Sequence, residues 1–559
     1  MGQNPQPEGE SQNLELAAGP GGGGFARGRV AHFFRRLSAE GWLTILALLI
    51  WVMVHGDYGI TWDEPVQSNY GEAVRKYIFN GQSVAEFSQS KLPANIVYYE
   101  PALDLTCATV AHLFGADIFA VRHGVQGLLW VAMFYPVCAL GRRILGGPGA
   151  WFAGFALLGM PSLFGQAFNN PKDFPLACAA IWLVHTVVGI AAARQLDWRH
   201  AVKLGVAAGF VLMMRPGAWF LGTLLVLVPL AHGWRSRGNP GWWREVIFRI
   251  IPVLSVAVII GWFLMILPWP NAWYSPLLHP IKSASLAMHF KEIFPVLLRG
   301  TVYPSNRLPW DYLISYLLLT LPVPFLALAA WGHLVCWRKR SQSIPAALAV
   351  LGIGFLIWFP LATFVIARPN VYDGLRHFLF ILPPFAVLVG VAAADVHFRL
   401  QKNLPWLALP VVAGVLLSAV PAMVRLHPYE NVYFNFLAGP KATLHERYET
   451  DYWASSYREA AAWINEVQSH RGRQLCVLVS ASDFSFPAFT HFLDPKVKAI
   501  RAGFNFSPDA TSIPEADYCV ATVRYNQWQN YPALPIVHRI ERDGVLLAVI
   551  RENPHPLNR

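Results

Sequence analysis

Apolar runs separated by short polar segments dominate the chain from residue 40 to residue 423. Because roughly 20 apolar residues form a helix that crosses a bilayer, the pattern predicts a polytopic α-helical membrane protein with about eleven spans. We assign the spans to residues 40–56, 121–141, 149–168, 174–193, 200–214, 217–233, 246–267, 310–333, 344–366, 374–395 and 404–423. The apolar run at 101–115 is short for a crossing and is expected to be re-entrant or interfacial. A full crossing there would raise the count to twelve.

Basic residues near the span ends predict the orientation, because short cytoplasmic loops are enriched in Lys and Arg. The anchors are Arg27, Arg29, Arg35, Arg36, Arg142, Arg143, Arg194, Arg199, Arg235, Arg237, Arg338, Lys339, Arg340, Arg399 and Lys402. They predict a cytoplasmic N-terminus and an extracytoplasmic C-terminus. The membrane domain is predicted to cover 37–425, with outer loops at 57–120, 169–173 and 268–309.

The two ends of the chain differ from the membrane domain. Residues 1–36 are rich in Gly, Pro and Gln and are predicted to be a disordered cytoplasmic segment. Residues 426–559 are more charged and lack long apolar runs. A helix at 457–468 and strands at 476–481, 518–523 and 545–550 predict a small extracytoplasmic α/β domain.

Composition agrees with a membrane protein, since 55% of the residues are hydrophobic and only 14% are charged. The net charge of +11 does not indicate nucleic-acid binding, because many basic residues flank apolar runs. The six cysteines form no CxxC or Cys/His zinc pattern. A disulfide between Cys476 and Cys519 remains open if the C-terminal domain is extracytoplasmic.

Three predicted outer loops carry acidic residues, which are candidates for acid–base chemistry or metal binding. Asp63 and Glu64 follow the first span, Glu100 and Asp104 open the short apolar run, and Asp173 precedes a span. Each has a structural alternative. Asp63 before Pro65 also suits a helix N-cap, Asp173 suits a cap, and the Glu100 segment suits a solvated helix start.

Several cations fall at predicted outer span ends, against the positive-inside trend. They are Lys172, Arg215, Arg368 and Arg376. Cations at this interface suit a lipid phosphate headgroup, although long basic side chains also extend toward headgroups without a specific role. His279 and His377 are further candidates for phosphate binding or acid–base chemistry, with a structural role as the alternative.

Five segments together resemble the GT-C glycosyltransferases, above all the family 39 type, which includes protein O-mannosyltransferases and the lipid A aminoarabinose transferase. The segments are TWDEP (61–65), YEPALDL (99–105), RHGVQGLLWVAMFYPVCALGRRILG (122–146), FNNPKDFPLA (168–177) and YDGLRHFLFILP (372–383). Where eukaryotic relatives usually have His-Pro-Pro, this chain has Glu100-Pro101-Ala102, which leaves the acceptor class open.

The resemblance implies transfer of a sugar from a polyprenyl-phosphate carrier on the outer face of a bacterial-type inner membrane, with inversion of configuration. It implies that Asp63 is the base, with Glu64 and Asp173 as further catalytic residues. The donor phosphate is expected to meet Arg376 and His377, with Lys172 and Arg215 assisting. Glu100, Asp104 and His279 are the expected acceptor or metal residues, with a divalent metal at Asp63 and Glu100. The expected partners are the lipid-linked donor, membrane lipid and an acceptor that is a lipid, glycan or protein.

Three alternatives share parts of this pattern. A transporter or lipid-carrier flippase would also have many spans, but its polar residues would be expected at the bilayer midplane. A surface-polysaccharide polymerase or ligase would use the same carrier lipid. A non-catalytic scaffold would leave the acidic loops without a role.

Overall fold

The computed structural model describes residues 38–83, 86–87, 92–93, 95–483, 485–502 and 515–554. The predicted disordered segment 1–36 lies outside these residues. The membrane domain begins with α1 (Ala39–Val54), α2 (Glu64–Phe79) and α3 (Ala102–Phe114). It continues through α4 (Ile118–Leu158), α5 (Asp173–Ala192), α6 (Trp198–Leu212), α7 (Leu227–Ser236), α8 (Ile251–Ile266), α9 (Leu278–Met288), α10 (Tyr312–Thr320), α11 (Val323–Lys339), α12 (Ile344–Ala367), α13 (Leu382–Asn403), α14 (Pro405–Leu416) and α15 (Val420–Leu426).

Short helical segments complete these spans. A 3₁₀ segment (Pro216–Val226) leads into α7, another (Arg376–Ile381) leads into α13, and Trp242–Ile250 extends α8 at its N-terminus. Within the described part of the chain, seven helices are long and apolar enough to cross a membrane, or eight if α10 and α11 form one bent span. The predicted class, a polytopic helical membrane protein with a small C-terminal α/β domain, is confirmed.

Every predicted span falls on a helix, but several differ in length from the prediction. Helix α4 contains two predicted spans, 121–141 and 149–168, joined at Gly146, whose φ is 67°. A Cβ atom on Gly141 would lie 2.4 Å from the carbonyl oxygen of Gly149. Eight residues of straight helix would separate these positions by about 12 Å, so the two limbs fold back on each other. The second limb ends at Leu158, ten residues before the predicted boundary.

Helices α1 and α6, with 16 and 15 residues, are shorter than a typical crossing. The predicted span 310–333 is divided into α10 and α11, which meet at an angle of 112° next to Pro322. Proline explains the break, because it lacks the N–H group that an uninterrupted helix requires. The short apolar run at 101–115 is the 13-residue helix α3.

Helix α13 forms the centre of the membrane domain, with residues 382–394 all buried. It packs against α4 and α11. A Cβ atom at Gly390 would lie 2.2 Å from the backbone nitrogen of Ala153, so only glycine permits this approach. Arg376 lies at the N-terminal end of this central span.

The C-terminal domain contains α16 (Tyr457–Ser469), α17 (Phe486–Thr490) and a five-stranded sheet in the order β4-β3-β5-β7-β6. The strands are β3 (Cys476–Val479), β4 (Lys498–Arg501), β5 (Tyr518–Thr522), β6 (Ile536–Arg542) and β7 (Val545–Glu552). Strands β3, β4 and β5 are parallel, with Val477 opposite Tyr518, and β7 is antiparallel to β5 and β6. The helix and strands predicted in this region are all present.

Cys476 and Cys519 both lie in this sheet, but they do not form the disulfide that the sequence leaves open. Leu478, not Cys476, is opposite Cys519 in the register of β3 and β5. Both cysteines are free and buried.

The C-terminal domain packs closely on the outer loops of the membrane domain. The Tyr58 hydroxyl donates to Glu430 at 3.1 Å, and the Trp453 indole donates to Gln166 at 3.0 Å. A small hairpin of β1 (Pro295–Leu298) and β2 (Thr301–Pro304) also contacts this region through a bridge from Leu298 to Tyr448. One hydrophobic core runs through both domains.

Candidate functional site

A network of alternating charges joins four segments at one end of the membrane helices. Arg376 Nη1 lies 2.7 Å from Asp373, while its Nη2 and Nε lie 3.5 Å from Asp63 and Asp173. Asp173 is also 3.0 Å from Nη1 of Arg215. We call Asp63, Asp173, Arg215, Asp373 and Arg376 the charge network. It includes four residues that the sequence singled out, together with Asp373, which had no predicted role.

The loop before α5 places Asp173 in this network. The Asn170 side chain accepts hydrogen bonds from the backbone N–H groups of Lys172 and Asp173, at 3.2 and 2.9 Å. Its amide group donates to Gln166, which also accepts from Trp453. The loop is buried from Pro161 to Pro171, so Asn170 and Gln166 find their hydrogen-bond partners inside the protein. A residue of the C-terminal region therefore helps to fix the position of Asp173.

A tight turn positions Asp373 on the other side of Arg376. Asp373 and Gly374 have φ values of 59° and 66°, in the left-handed region. The Gly374 N–H donates to the Tyr312 hydroxyl at 2.8 Å and to Glu449 at 3.1 Å. Burial raises the pKa of Asp373, and the opposing charges of Arg524 and Arg376 reduce that effect.

Asp63 is the most accessible carboxylate of the charge network. Its side chain is 28% exposed, compared with 2% for Asp173 and 1% for Asp373. Asp63 occupies the N-cap position of α2, but its side chain makes no capping hydrogen bond. The carboxylate instead faces Arg376, which makes it available for chemistry in a way that a capping aspartate is not.

The structure does not favour the predicted catalytic role of Glu64, because its carboxylate is buried and already accepts hydrogen bonds from neighbouring groups. It accepts from the backbone N–H and the hydroxyl of Thr61, at 2.7 and 3.1 Å. Its other oxygen lies 3.1 Å from Nε2 of His123. Glu64 therefore fixes the first turn of α2 beside Asp63, and its position is not one from which it can contact a substrate.

Lys172 and Arg215 are the accessible cations of the site. Arg215 has a 23% exposed side chain and a single carboxylate partner, Asp173, within the described part of the chain. Lys172 has no carboxylate within ion-pair distance among the described residues. Its Nζ lies 4.0 Å from the centre of the Tyr99 ring. When the side-chain amide of Gln67 is oriented with its oxygen toward Lys172, the oxygen accepts from Lys172 at 2.6 Å. The amide nitrogen then donates to Asp104 at 2.7 Å.

Glu100 and Asp104 lie beside Lys172, but neither is exposed. Burial raises the pKa of Glu100 to about 8, against the opposing charges of Lys172 and Arg215. Asp104 pairs with Arg122 at 2.7 Å, and both side chains are buried. The charge of Asp104 is thus neutralised by Arg122, for which the sequence predicted no role. An arginine within an apolar run was the available signal, because such a residue is costly unless paired.

The predicted metal ligands Asp63 and Glu100 do not meet the requirements of a metal site. Among the described residues, no three His, Cys, Asp or Glu side chains are grouped so that they could hold a metal ion. Asp63 faces Arg376, and Glu100 lies near Lys172 and Arg215, so both carboxyl groups already have positively charged neighbours. The described residues therefore do not form the predicted metal site.

The two predicted histidines have different environments. His279 lies outside the charge network, where its Nε2 is 3.2 Å from the carbonyl oxygen of Val97 and its ring packs on Trp269. This supports the structural alternative for His279. The Nε2 of His377 accepts from Nε of Arg376 at 3.4 Å. His377 therefore serves here as a neutral acceptor and not as a cation.

Arg524 of the C-terminal domain also reaches the site, and no sequence pattern predicted it. Its Nη1 lies 3.0 Å from Asp373, and its guanidinium carbon lies 3.7 Å from the centre of the Trp62 ring. Arg376 similarly lies 4.6 Å from the Trp453 ring. Cation–π contacts of this kind stabilise buried guanidinium groups.

No protein-family model matches the chain, and no curated protein matches it. Several solved structures are similar to it, including the following three. ArnT from Cupriavidus metallidurans bound to undecaprenyl phosphate is 16% identical, with 93% of this chain and 99% of that chain covered and a TM-score of 0.48. Archaeal oligosaccharyltransferase AglB from Archaeoglobus fulgidus, in complex with an inhibitory peptide and a dolichol-phosphate, is 12% identical, with 86% and 69% covered and a TM-score of 0.48.

The third structure is arabinofuranosyltransferase AftD from Mycobacteria, which is 15% identical, with 91% of this chain and 41% of that chain covered and a TM-score of 0.44. Glycosyl-transferring proteins were expected here, because the motifs resemble the GT-C group. At this level of identity and with TM-scores below 0.5, the similarities assign no activity to this chain.

Proposed function

We propose that the protein is a membrane glycosyltransferase that moves a sugar from a polyprenyl-phosphate carrier to an acceptor on the outer membrane face. The observation that carries the proposal is the contact of Arg376 with both Asp63 and Asp173, beside the partly exposed cations Lys172 and Arg215. A base and phosphate-binding cations at a membrane interface suit a substrate with a lipid tail and a charged headgroup.

The distribution of charge supports an outer-face site. Arg376 and Arg399 lie on one nearly continuous span, and 23 helical residues cover about 35 Å. Arg399 and Lys402 share a polar pocket with Lys339 and the turn at Gly146. A cluster of basic residues at this end favours the cytoplasmic side. The charge network then lies on the extracytoplasmic side.

The environments of the cations suggest how the donor binds. Arg376 has a 4% exposed side chain and three carboxylate neighbours, so a donor phosphate would have to displace those contacts. Among the described residues, Lys172 has no carboxylate neighbour. Arg215 has one, Asp173, and its side chain is partly exposed. We therefore assign donor phosphate binding to Lys172 and Arg215, and we assign to Arg376 the positioning of Asp63 and Asp173.

The chemistry follows from the accessible carboxylate. Asp63 accepts the proton of an acceptor hydroxyl or amine as that group attacks the anomeric carbon. The bond from the anomeric carbon to the phosphate oxygen breaks, and its electron pair leaves with the polyprenyl phosphate. One such displacement inverts the anomeric configuration. Lys172 and Arg215 stabilise the charge that develops on the leaving phosphate.

The test uses purified protein in nanodiscs with a panel of radiolabelled undecaprenyl- and dolichyl-phosphate sugars. We expect the wild type to release or transfer sugar from at least one donor, and Asp63→Asn to lose this activity while remaining folded. Asp57→Asn is the matched control, because Asp57 lies in the same loop but pairs with His427 at 3.1 Å. Full turnover in Asp63→Asn would rule out its role as the base. Movement of carrier lipid across the bilayer without turnover would instead establish the flippase alternative.

A further inference from the structure

Arg524 projects from the C-terminal domain into the charge network. It is the first residue of a 3₁₀ segment (Arg524–Gln529) that follows β5, and its side chain is 3% exposed. The next two residues, Tyr525 and Asn526, have φ values of 52° and 58°. This left-handed pair turns the chain sharply at the point where Arg524 leaves its domain.

The contacts of Arg524 lie on both segments that carry the proposed base and its arginine. Its guanidinium stacks on Trp62, the residue before Asp63. Its Nη1 pairs with Asp373, which in turn pairs with Arg376. Nη1 also donates to the backbone carbonyl of Tyr452. One side chain of the C-terminal domain therefore bridges the first outer loop and the turn before α13.

We propose that Arg524 is a positioning residue for glycosyl transfer and that it acts through Asp373. This inference rests on the proposed function. Asp373 lies between two guanidinium groups, 2.7 Å from Arg376 and 3.0 Å from Arg524. The contacts of Arg376 with Asp63 and Asp173 are longer, at 3.5 Å. The position of Arg376 thus depends on how strongly Asp373 attracts it.

Loss of Arg524 would leave Arg376 as the sole cation paired with Asp373 among the described residues. Because Asp373 is 1% exposed, water cannot replace the missing charge. The attraction between Asp373 and Arg376 then increases at the expense of the longer contact with Asp63. The C-terminal domain consequently helps to set the geometry of the base, although it supplies no group that touches the substrate.

The test compares Arg524→Ala, Arg524→Gln, Arg524→Lys, Asp373→Asn and the double variant Arg524→Ala/Asp373→Asn in nanodiscs. The measured quantities are kcat, donor Kd and the melting temperature, with the donor identified from the wild-type panel. Arg551→Ala is the matched control. Arg551 is a buried arginine of the same domain that donates within it, to the carbonyls of Leu534 and Trp528.

We expect Arg524→Ala to lower kcat by roughly 10- to 100-fold with donor Kd changed less than about threefold, because it alters geometry and not phosphate contacts. The double variant should lose no more kcat than Asp373→Asn alone, because Arg524 acts only through its contact with Asp373. Arg551→Ala should lower the melting temperature with kcat retained. If Arg524→Ala does not fold, Arg524→Gln, which removes the charge but keeps a polar side chain, provides the same comparison. Arg524→Lys, which keeps the charge, should retain more kcat than either.

Three results would overturn the proposal. Equal loss of kcat in Arg551→Ala and Arg524→Ala would show a general effect of domain stability. Multiplicative losses in the double variant would show that Arg524 does not act through Asp373. An unchanged kcat in folded Arg524→Ala or Arg524→Gln, both of which lack the charge, would show that Arg524 has no role in positioning. Failure of the proposed function is distinct, because the wild type itself would then turn over no donor.

Discussion

The guanidinium of Arg376 lies 3.5 Å from the carboxylate of Asp63, although 313 residues separate them in the chain. A much shorter contact, 2.7 Å, joins Arg376 to its near neighbour Asp373. Arg376 is thus held from one side by its own turn and faces the proposed base from the other. This arrangement assigns to Arg376 the positioning of Asp63 and leaves donor binding to the cations nearby.

The first prediction separates donor binding from positioning. Lys172→Ala should raise the donor Kd about tenfold, because a charge-assisted contact to phosphate contributes roughly 1.5 kcal/mol. Arg215→Ala should act in the same direction. Arg376→Lys should instead lower kcat with donor Kd within about threefold. The measurements are equilibrium binding of radiolabelled donor and single-turnover rates, in nanodiscs.

Lys76→Ala is the control for a change in surface charge, since Lys76 lies on the exposed face of α2 and pairs only with Glu72 in the described residues. It should leave donor Kd unchanged. If Arg376→Lys weakens donor binding more than Lys172→Ala does, the phosphate contacts Arg376 directly. Donor phosphate binding would then be assigned to Arg376, as the sequence motifs predict, and not to Lys172 and Arg215 alone.

Local patterns were sufficient to predict the helices and strands, because hydrophobic periodicity and length reflect burial within a single element. They were also sufficient to select Asp63, Asp173 and Arg376, since charges at span ends are costly unless they have a role. The structure brings these three together, which supports the reasoning without testing their chemistry.

Ion pairs and hydrogen bonds between distant segments could not be predicted from the sequence, because they depend on the tertiary fold. Glu64 follows Asp63 directly, yet only the packing of His123 and Thr61 makes it buried and occupied. Arg524 lies in a polar domain where an arginine carries no local signal. Its contact with Asp373 arises because the C-terminal domain packs on the outer loops.

The second prediction concerns Glu100 and pH. Burial raises the pKa of Glu100 to about 8 from an ordinary value of 4.5, so between these pH values the folded state binds a proton that the unfolded state releases. Stability due to this group is therefore present below pH 4.5 and is lost as the pH rises to 8. The slope is at most about 1.4 kcal/mol per pH unit.

Glu100→Gln cannot titrate, so its melting temperature should fall less between pH 5 and pH 8 than that of the wild type. Part of the dependence should remain, because the pKa of Glu449 is also raised to about 8, by burial and by the charge of Asp373. The exposed Glu466→Gln should follow the wild-type curve. Identical curves for Glu100→Gln and the wild type would show that Glu100 does not titrate in this range.

The third prediction concerns the buried pair of Arg122 and Asp104, whose atoms lie 2.7 Å apart with side-chain exposures of 0% and 6%. Arg122→Ala should destabilise the protein by about 3–5 kcal/mol, because it leaves an uncompensated carboxylate in a buried site. Arg122→Met combined with Asp104→Leu should recover much of that loss, since neither charge is then buried. Thermal unfolding in nanodiscs measures both.

The double variant also tests how the pair is connected to the donor site. Gln67 joins Asp104 to Lys172, so replacement of Asp104 by an apolar residue removes one anchor of the Gln67 amide. We expect the stable double variant to bind donor more weakly, in the same direction as Lys172→Ala. Recovered stability with unchanged donor Kd would show that Lys172 holds its position without Gln67. A double variant as unstable as Arg122→Ala would show that the carboxylate is not the source of the destabilisation.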